Sequence, residues 1–151
     1  MEQIVTSHLQ DFLLSAPYNR ELSLTLKSAG GRACVIEAPY RSRLIGNPET
    51  GVLHGGVVTA LLDVAFGAAI YLQLRRPRPI ATLDLRIDYL KPGTPGRSLL
   101  CSASCYKVTT ELAFVRGTVY NDNPDDLIAS GVGIFMFTKG PGAHLGGGLK
   151  Q

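Results

Sequence analysis

Leu53-His54-Gly55-Gly56-Val57-Val58-Thr59-Ala60-Leu61-Leu62-Asp63 opens the least polar stretch of the chain. From Val57 to Leu74 the only plainly polar residues are Thr59, Asp63 and Gln73, and Ala and Leu dominate, which favours helix. A helix that is apolar almost all round is buried on most of its sides. About 20 apolar residues also suffice to span a bilayer. An Asp in the middle is costly in lipid, however, and the flanking sequence alternates as a soluble sheet does. The expected element is therefore a buried core helix running from Gly55 to Leu74, with no membrane partner.

Upstream, Ile4, Leu9, Phe12 and Leu13 have roughly helical spacing, so residues 1–16 are expected to form an amphipathic helix that Pro17 ends. Leu22, Leu24 and Leu26 then alternate with Ser23, Thr25 and Lys27, a period of two that predicts a half-buried strand. Gly30-Gly31 signals a turn, Arg32 to Ala38 the returning strand, and Arg41 to Val52 a loop. Downstream, Leu83, Leu85, Ile87 and Tyr89 alternate with Asp84, Arg86 and Asp88, and Lys91-Pro92-Gly93 ends that strand. Three more strands follow, Leu99–Val108, Leu112–Tyr120 and Leu127–Thr138, joined by short turns and so antiparallel. One apolar helix and one sheet of about six strands satisfy each other only if the sheet curls around the helix. That is an α+β chain of the hotdog type, in a single domain over 1–139. The segment 140–151, with five Gly and one Pro, is expected to be a flexible tail.

Composition bounds the function. Of the 151 residues, 45% are apolar and 18% charged, as in an ordinary globular domain. A formal charge of +3, with no run of basic and aromatic residues, does not point to nucleic acid. Cys34, Cys101 and Cys105 lack a CxxC pair or a His at zinc spacing, so they read as buried free thiols in a reducing compartment. Glu2 and Asp11 in the first segment are unlike a signal peptide, and the cytoplasm is the expected location.

Two features around the helix start suggest chemistry. A helix N-terminus leaves N–H groups unpaired and carries a partial positive charge, and glycine lets a ligand approach that backbone. The Gly55 N–H is thus a candidate oxyanion donor; equally, the glycines serve simply to turn the loop into the helix. Asp63, among Leu61, Leu62, Val64, Ala65 and Phe66, loses solvation, which raises its pKa and demands a partner. It is a structural Asp or a general base or nucleophile. Gly55 and Asp63 are eight residues apart, about 12 Å along a helix. They cannot serve one carbonyl within one chain, but two antiparallel helices about a two-fold axis would bring Gly55 of one beside Asp63 of the other.

The run Asn47-Pro48-Glu49-Thr50-Gly51-Val52-Leu53-His54-Gly55-Gly56, together with Ala60-Leu61-Leu62-Asp63, resembles the PaaI-like thioesterases of the hotdog superfamily. Thr82-Leu83-Asp84-Leu85-Arg86-Ile87-Asp88-Tyr89-Leu90-Lys91-Pro92 resembles the strand that follows the helix there, so the likeness covers roughly 44–137. The resemblance implies hydrolysis of acyl-CoA thioesters without a metal or other cofactor, coenzyme A being part of the substrate, by a dimer often paired into a tetramer. It implies Gly55 as oxyanion donor, Asp63 as the carboxylate, Asn47 as a loop amide, Thr82 as the hydroxyl after the helix, and His54 beside the glycine loop, touching substrate or positioning the loop. It places substrate along Gly56, Tyr89, Leu90, Lys91 and Pro92 and at the turn Thr110, Glu111 and Leu112. The turn departs from the family pattern in carrying the acidic Glu111. Arg75, Arg76 and Arg78 form a basic cluster that suits either phosphates or plain surface. Two rivals remain: a non-catalytic acyl-CoA-binding protein, which has no need of Asp63, and a hotdog hydratase or dehydratase, which needs a His converging with a carboxylate.

Overall fold

The computed structural model describes residues 2–139, with side chains from residue 6 onward. Helices α1 (Glu2–Ser15) and α2 (Pro17–Glu21) lead into a hairpin of β1 (Thr25–Gly30) and β2 (Ala33–Ala38). A single 3-10 turn (Ser42–Leu44) and a small hairpin of β3 (Ile45–Asn47) and β4 (Val52–Leu53) precede α3 (Gly55–Leu74). Strands β5 (Ile80–Tyr89), β6 (Leu99–Val108), β7 (Leu112–Tyr120) and β8 (Ala129–Phe137) follow among the described residues. Six strands form one antiparallel sheet in the order β1-β2-β6-β7-β8-β5, folded around α3 as the hotdog architecture requires.

The central helix occupies the range its composition predicts, and most of it is buried. Its packing depends on what the sheet leaves out. A Cβ on Gly117 would lie 2.7 Å from Ser102 O and 2.9 Å from the Phe66 ring, and one on Gly133 would lie 3.0 Å from the same ring. Phe66 fills the space these two glycines leave and meets Phe135 edge-on at 6.5 Å. Truncating a buried Phe of this kind costs about 3–5 kcal/mol.

Four expectations change in detail. Pro17 ends α1 but also starts α2, since Pro at the first helical position has no N–H to lose. Leu22 and Leu24 are buried as expected, yet the paired strand begins only at Thr25, because Ser23 adopts a left-handed φ of 54° and bends the chain. The loop 41–52 contains the β3–β4 hairpin. Finally, the simple alternation of β5 fails at one place. Thr82 pairs with Phe135 and Asp84 with Ile134, so Leu83 is an unpaired bulge. Phe135 lies on the sheet face that packs on α3, and so therefore does Thr82, which is exposed at the edge of that face, while Leu83 turns away from it at 56% exposure. The expected tail, 140–151, lies outside the described residues.

Candidate active site

α3 and β5 run past each other in opposite directions and touch through three polar contacts. At one end, Thr82 Oγ1 donates to Asp63 Oδ1 at 2.8 Å. At the other, Tyr89 OH shares a 2.6 Å hydrogen bond with Thr59 Oγ1 and reaches Gly55 O at 3.3 Å. Gly55, Thr59 and Asp63 follow one another at four-residue intervals and so share one stripe of the helix. That stripe lies beside β5, an edge strand of the sheet.

Burial raises the Asp63 pKa, and the Thr82 hydroxyl, which stabilises the charged form, partly offsets the rise. A carboxylate that is half-buried, held through one oxygen and a better proton acceptor than usual is suited to general-base work.

The first turn of α3 has its hydrogen bonds assigned almost completely. His54 is the N-cap: its Nδ1 accepts the Gly56 N–H at 2.8 Å, and its carbonyl accepts the Val57 N–H at 2.9 Å. The His54 N–H donates to Leu44 O at 2.8 Å. Among the described residues the Gly55 N–H has no acceptor. The two glycines differ in what they permit. A Cβ on Gly56 would lie 2.9 Å from His54 Nδ1, so glycine is required there for the cap. A Cβ on Gly55 would meet only the Tyr89 ring, at an ordinary 3.7 Å, and Gly55 does not have a positive φ. Nothing in its own chain demands glycine at position 55.

Asn47 sits on the β3–β4 hairpin, whose neighbouring Gly46 abuts His54. Asn47 Oδ1 accepts the Glu49 N–H at 3.0 Å, which leaves the amide Nδ2 as its free donor. Gly55 and Asp63 remain about 12 Å apart along α3. The two segments expected to hold substrate are not together in one chain either. Tyr89 pairs with Ala129, and Ala129 with Val119. Leu112 pairs with Met136, and Met136 with Ala81. Tyr89–Pro92 and Thr110–Leu112 thus stand at opposite ends of the sheet, about 25 Å apart at the usual rise per residue. Lys91 forms an ion pair with Asp126 at 2.5 Å. In the basic cluster, Arg78 donates to Thr110 O at 3.2 Å and lies 3.7 Å over the Phe137 ring, tying the post-helix loop to the β6–β7 turn. Arg75 forms the left-handed C-cap of α3. Among the described residues no His other than His54 comes near this stripe, His8 being exposed on α1; His144 lies outside the described residues. Among the described residues, no three His, Cys, Asp or Glu side chains are grouped to hold a metal ion.

Sequence reading named Thr59 only as a polar residue in an apolar helix. The signal for more was its spacing, four residues from both Gly55 and Asp63.

The sequence pattern of the thioesterase superfamily matches residues 50–128. A medium/long-chain acyl-CoA thioesterase of Salmonella typhimurium, YigI, is 30% identical over 139 residues, covering 83% of this chain and 88% of that protein. A crystal structure of a Pseudomonas aeruginosa protein is 38% identical with a TM-score of 0.80, covering 87% of this chain and 98% of that one. The PaaI protein of the Escherichia coli phenylacetic acid degradation operon superposes with a TM-score of 0.72 at 18% identity, over 87% of this chain and 97% of its own, a likeness of fold.

Proposed function

Because the chain belongs to the thioesterase superfamily, we propose that it hydrolyses acyl-CoA thioesters at two equivalent sites, each built from Gly55 of one protomer and Asp63 of its partner. The observation that carries this reading is the pair of half-sites on one helix stripe: an unpaired N–H at Gly55 and a hydroxyl-held carboxylate at Asp63, too far apart to act together. β5 supplies the means of joining them. It is a ten-residue edge strand with one side unpaired among the described residues, and such an edge seeks another strand. Antiparallel pairing of β5 with its copy sets the Tyr89 end of one protomer beside the Thr82 end of the other. Gly55 then approaches the partner's Asp63. The same pairing brings Tyr89, Leu90, Lys91 and Pro92 to the same end of the joined sheet as the partner's Thr110, Glu111 and Leu112, three strands away, so that segments at opposite ends of one sheet can line one substrate path. The Arg78 tether to Thr110 and Phe137 fixes a cation beside that turn.

In this arrangement the thioester oxygen lies on the Gly55 N–H at the positive end of α3. The partner's Asp63 takes a proton from water, whose oxygen bonds to the carbonyl carbon. The tetrahedral oxyanion collapses, the C–S bond breaks and the coenzyme A thiolate leaves, a leaving group good enough to need no strong acid. Thr82 holds one Asp63 oxygen and leaves the other for water. Asn47 Nδ2 is available to orient that water, and His54 with Gly56 shapes the loop. No cofactor takes part. Direct attack by the carboxylate uses the same geometry. Single turnover in ¹⁸O water separates the two routes, since only a nucleophilic Asp63 acquires label itself. Medium- and long-chain acyl-CoAs are the first substrates to test, as the Salmonella relative is named for them.

The outer face of the sheet carries Tyr106 at 49% exposure, Val132 at 43% and Met136 at 38%, with Phe114 beside Tyr106. We assign this face to the contact between two dimers. The test of the activity is thiol release across phenylacetyl-, hydroxybenzoyl-, short-, medium- and long-chain acyl-CoAs, with Asp63→Asn alongside. Turnover that vanishes in the variant supports the reading. Tight binding with no turnover in the wild type points to a binding protein instead.

A further inference from the structure

We infer that the Tyr89 and Thr59 hydroxyls form a positioning pair: they fix the Gly55–Gly56 peptide, while the His54–Gly55 peptide, which carries the free N–H, is held through His54 O by the Val57 N–H, so Gly55 is locked from both sides and its N–H keeps its direction; this rests on the thioesterase reading above. The starting point is a weakness in the loop. An oxyanion donor acts only if its direction is set before the charge develops. Yet Gly55 and Gly56 lack the side chains that restrict backbone rotation. The Val57 N–H holds the His54 carbonyl on one side of Gly55, and the peptide on its other side needs an anchor as well.

The contacts show what supplies it. The Gly55–Gly56 peptide is gripped at both ends: its N–H by His54 Nδ1 at 2.8 Å, its carbonyl oxygen by Thr59 Oγ1 and Tyr89 OH, each at 3.3 Å. The two hydroxyls are themselves 2.6 Å apart. Two hydroxyl protons cannot fill three contacts at once. One proton lies between the hydroxyls, and the other goes to Gly55 O from whichever oxygen is not donating to its neighbour. Either way the relay runs from β5 to the Gly55 carbonyl. Thr59 alone anchors the turn only to its own helix, whereas Tyr89 ties it to the sheet. The ring is 55% exposed, so it buries little on folding and its placement has little value for the fold alone. Seven residues earlier on the same strand, Thr82 holds Asp63. One strand thus fixes the donor of one site and the carboxylate of the other.

The test is steady-state hydrolysis of the preferred acyl-CoA by Tyr89→Phe and Thr59→Val, with Thr59→Ser as the variant that keeps the hydroxyl. The expected result is a kcat about 10-fold lower in both, KM within about twofold of wild type, and near-normal kcat in Thr59→Ser, as for a donor displaced by a fraction of an ångström. Thermal midpoint and oligomeric state stay those of wild type. Wild-type kcat in both variants overturns the inference. So does a raised KM with unchanged kcat, which makes Tyr89 a substrate contact. The two variants break one contact from opposite sides, so if one fails to fold the other decides. A wild-type protein inactive on every acyl-CoA sinks the thioesterase reading and the inference with it. Wild-type activity with unaffected variants sinks the inference alone.

Discussion

Thr82 donates its hydroxyl to Asp63 at 2.8 Å, and it faces inward to do so only because β5 skips a pairing position at Leu83. Without that bulge, the alternation set by Leu85, Ile87 and Tyr89 would turn Thr82 outward. Bulges beside functional sites commonly re-aim a side chain in this way. The contact gives a direct handle on the ionisation of the carboxylate.

Activity that depends on the Asp63 anion rises with pH through the Asp63 pKa, which burial places above the ordinary aspartate range. The Thr82 hydroxyl lowers that pKa, so its removal raises it. In Thr82→Val the acid limb of the kcat/KM profile should shift to higher pH, with activity at the plateau reduced about 3- to 30-fold as the carboxylate loses its orientation. Thr82→Ser should keep the wild-type limb. An unmoved limb in Thr82→Val would show that Asp63 is not the titrating group.

Asp63 is also expected to trade stability for function. A carboxylate whose pKa is higher folded than unfolded binds its proton more tightly in the native state, so stability falls as pH rises from the unfolded value through the folded one. Above both values the cost is fully present. Asp63→Asn removes the charge and keeps an oxygen to accept from Thr82. It should abolish turnover, at least 10³-fold, and raise the thermal midpoint at pH 7. The gain should shrink as pH is lowered from the folded pKa toward the unfolded one and vanish below it. A midpoint lower than wild type at neutral pH would contradict this.

Gly55 and Gly56 should separate cleanly on substitution. Alanine at 56 places its Cβ against the His54 ring and disrupts the cap, a loss of about 1 kcal/mol or more. Alanine at 55 meets only ordinary contact with Tyr89, and it should leave stability unchanged or raise it by up to about 1 kcal/mol, as Gly→Ala in a helix does. If a substrate carbonyl approaches that N–H, Gly55→Ala should nevertheless lower kcat/KM at least tenfold. Denaturant melts and thiol-release kinetics on the same samples check both halves.

Cys34, Cys101 and Cys105 are free and buried, and burial pushes the Cys34 thiol up to about 12 and raises the other two. Since the thiolate is the reacting form, all three should resist a colorimetric thiol reagent in the native protein and react as three equivalents after unfolding. Fast native reaction of any of them would show that the core opens readily, and would add background to thiol-release assays.

Much of this was legible in the chain itself. Gly55–Leu74 declared its helix by composition, and the strand alternation was visible through β6, β7 and β8. Asp63 stood out because a charge among Leu, Val and Phe must have a partner. The partner's geometry did not stand out. A bulge at Leu83 leaves no mark in a run that alternates smoothly on paper, because register is decided by pairing with β8. The β3–β4 hairpin was hidden for a similar reason: strands of three and two residues are too short for any periodicity. The separation of Tyr89–Pro92 from Thr110–Leu112 follows from strand order, which local patterns do not contain. The role of Thr59 depended on a tyrosine thirty residues away.

The central claim is that each site takes its donor from one protomer and its carboxylate from the other. It is tested most directly by co-expressing Asp63→Asn and Gly55→Ala chains in equal amounts and measuring acyl-CoA hydrolysis by the mixed assembly. Random pairing leaves about a quarter of the sites with an intact Gly55 and an intact Asp63 on opposite protomers. Activity should therefore recover to about a quarter of wild type, well above that of either parent alone. Activity no higher than the average of the two parents would contradict the shared site and return both residues to a single chain.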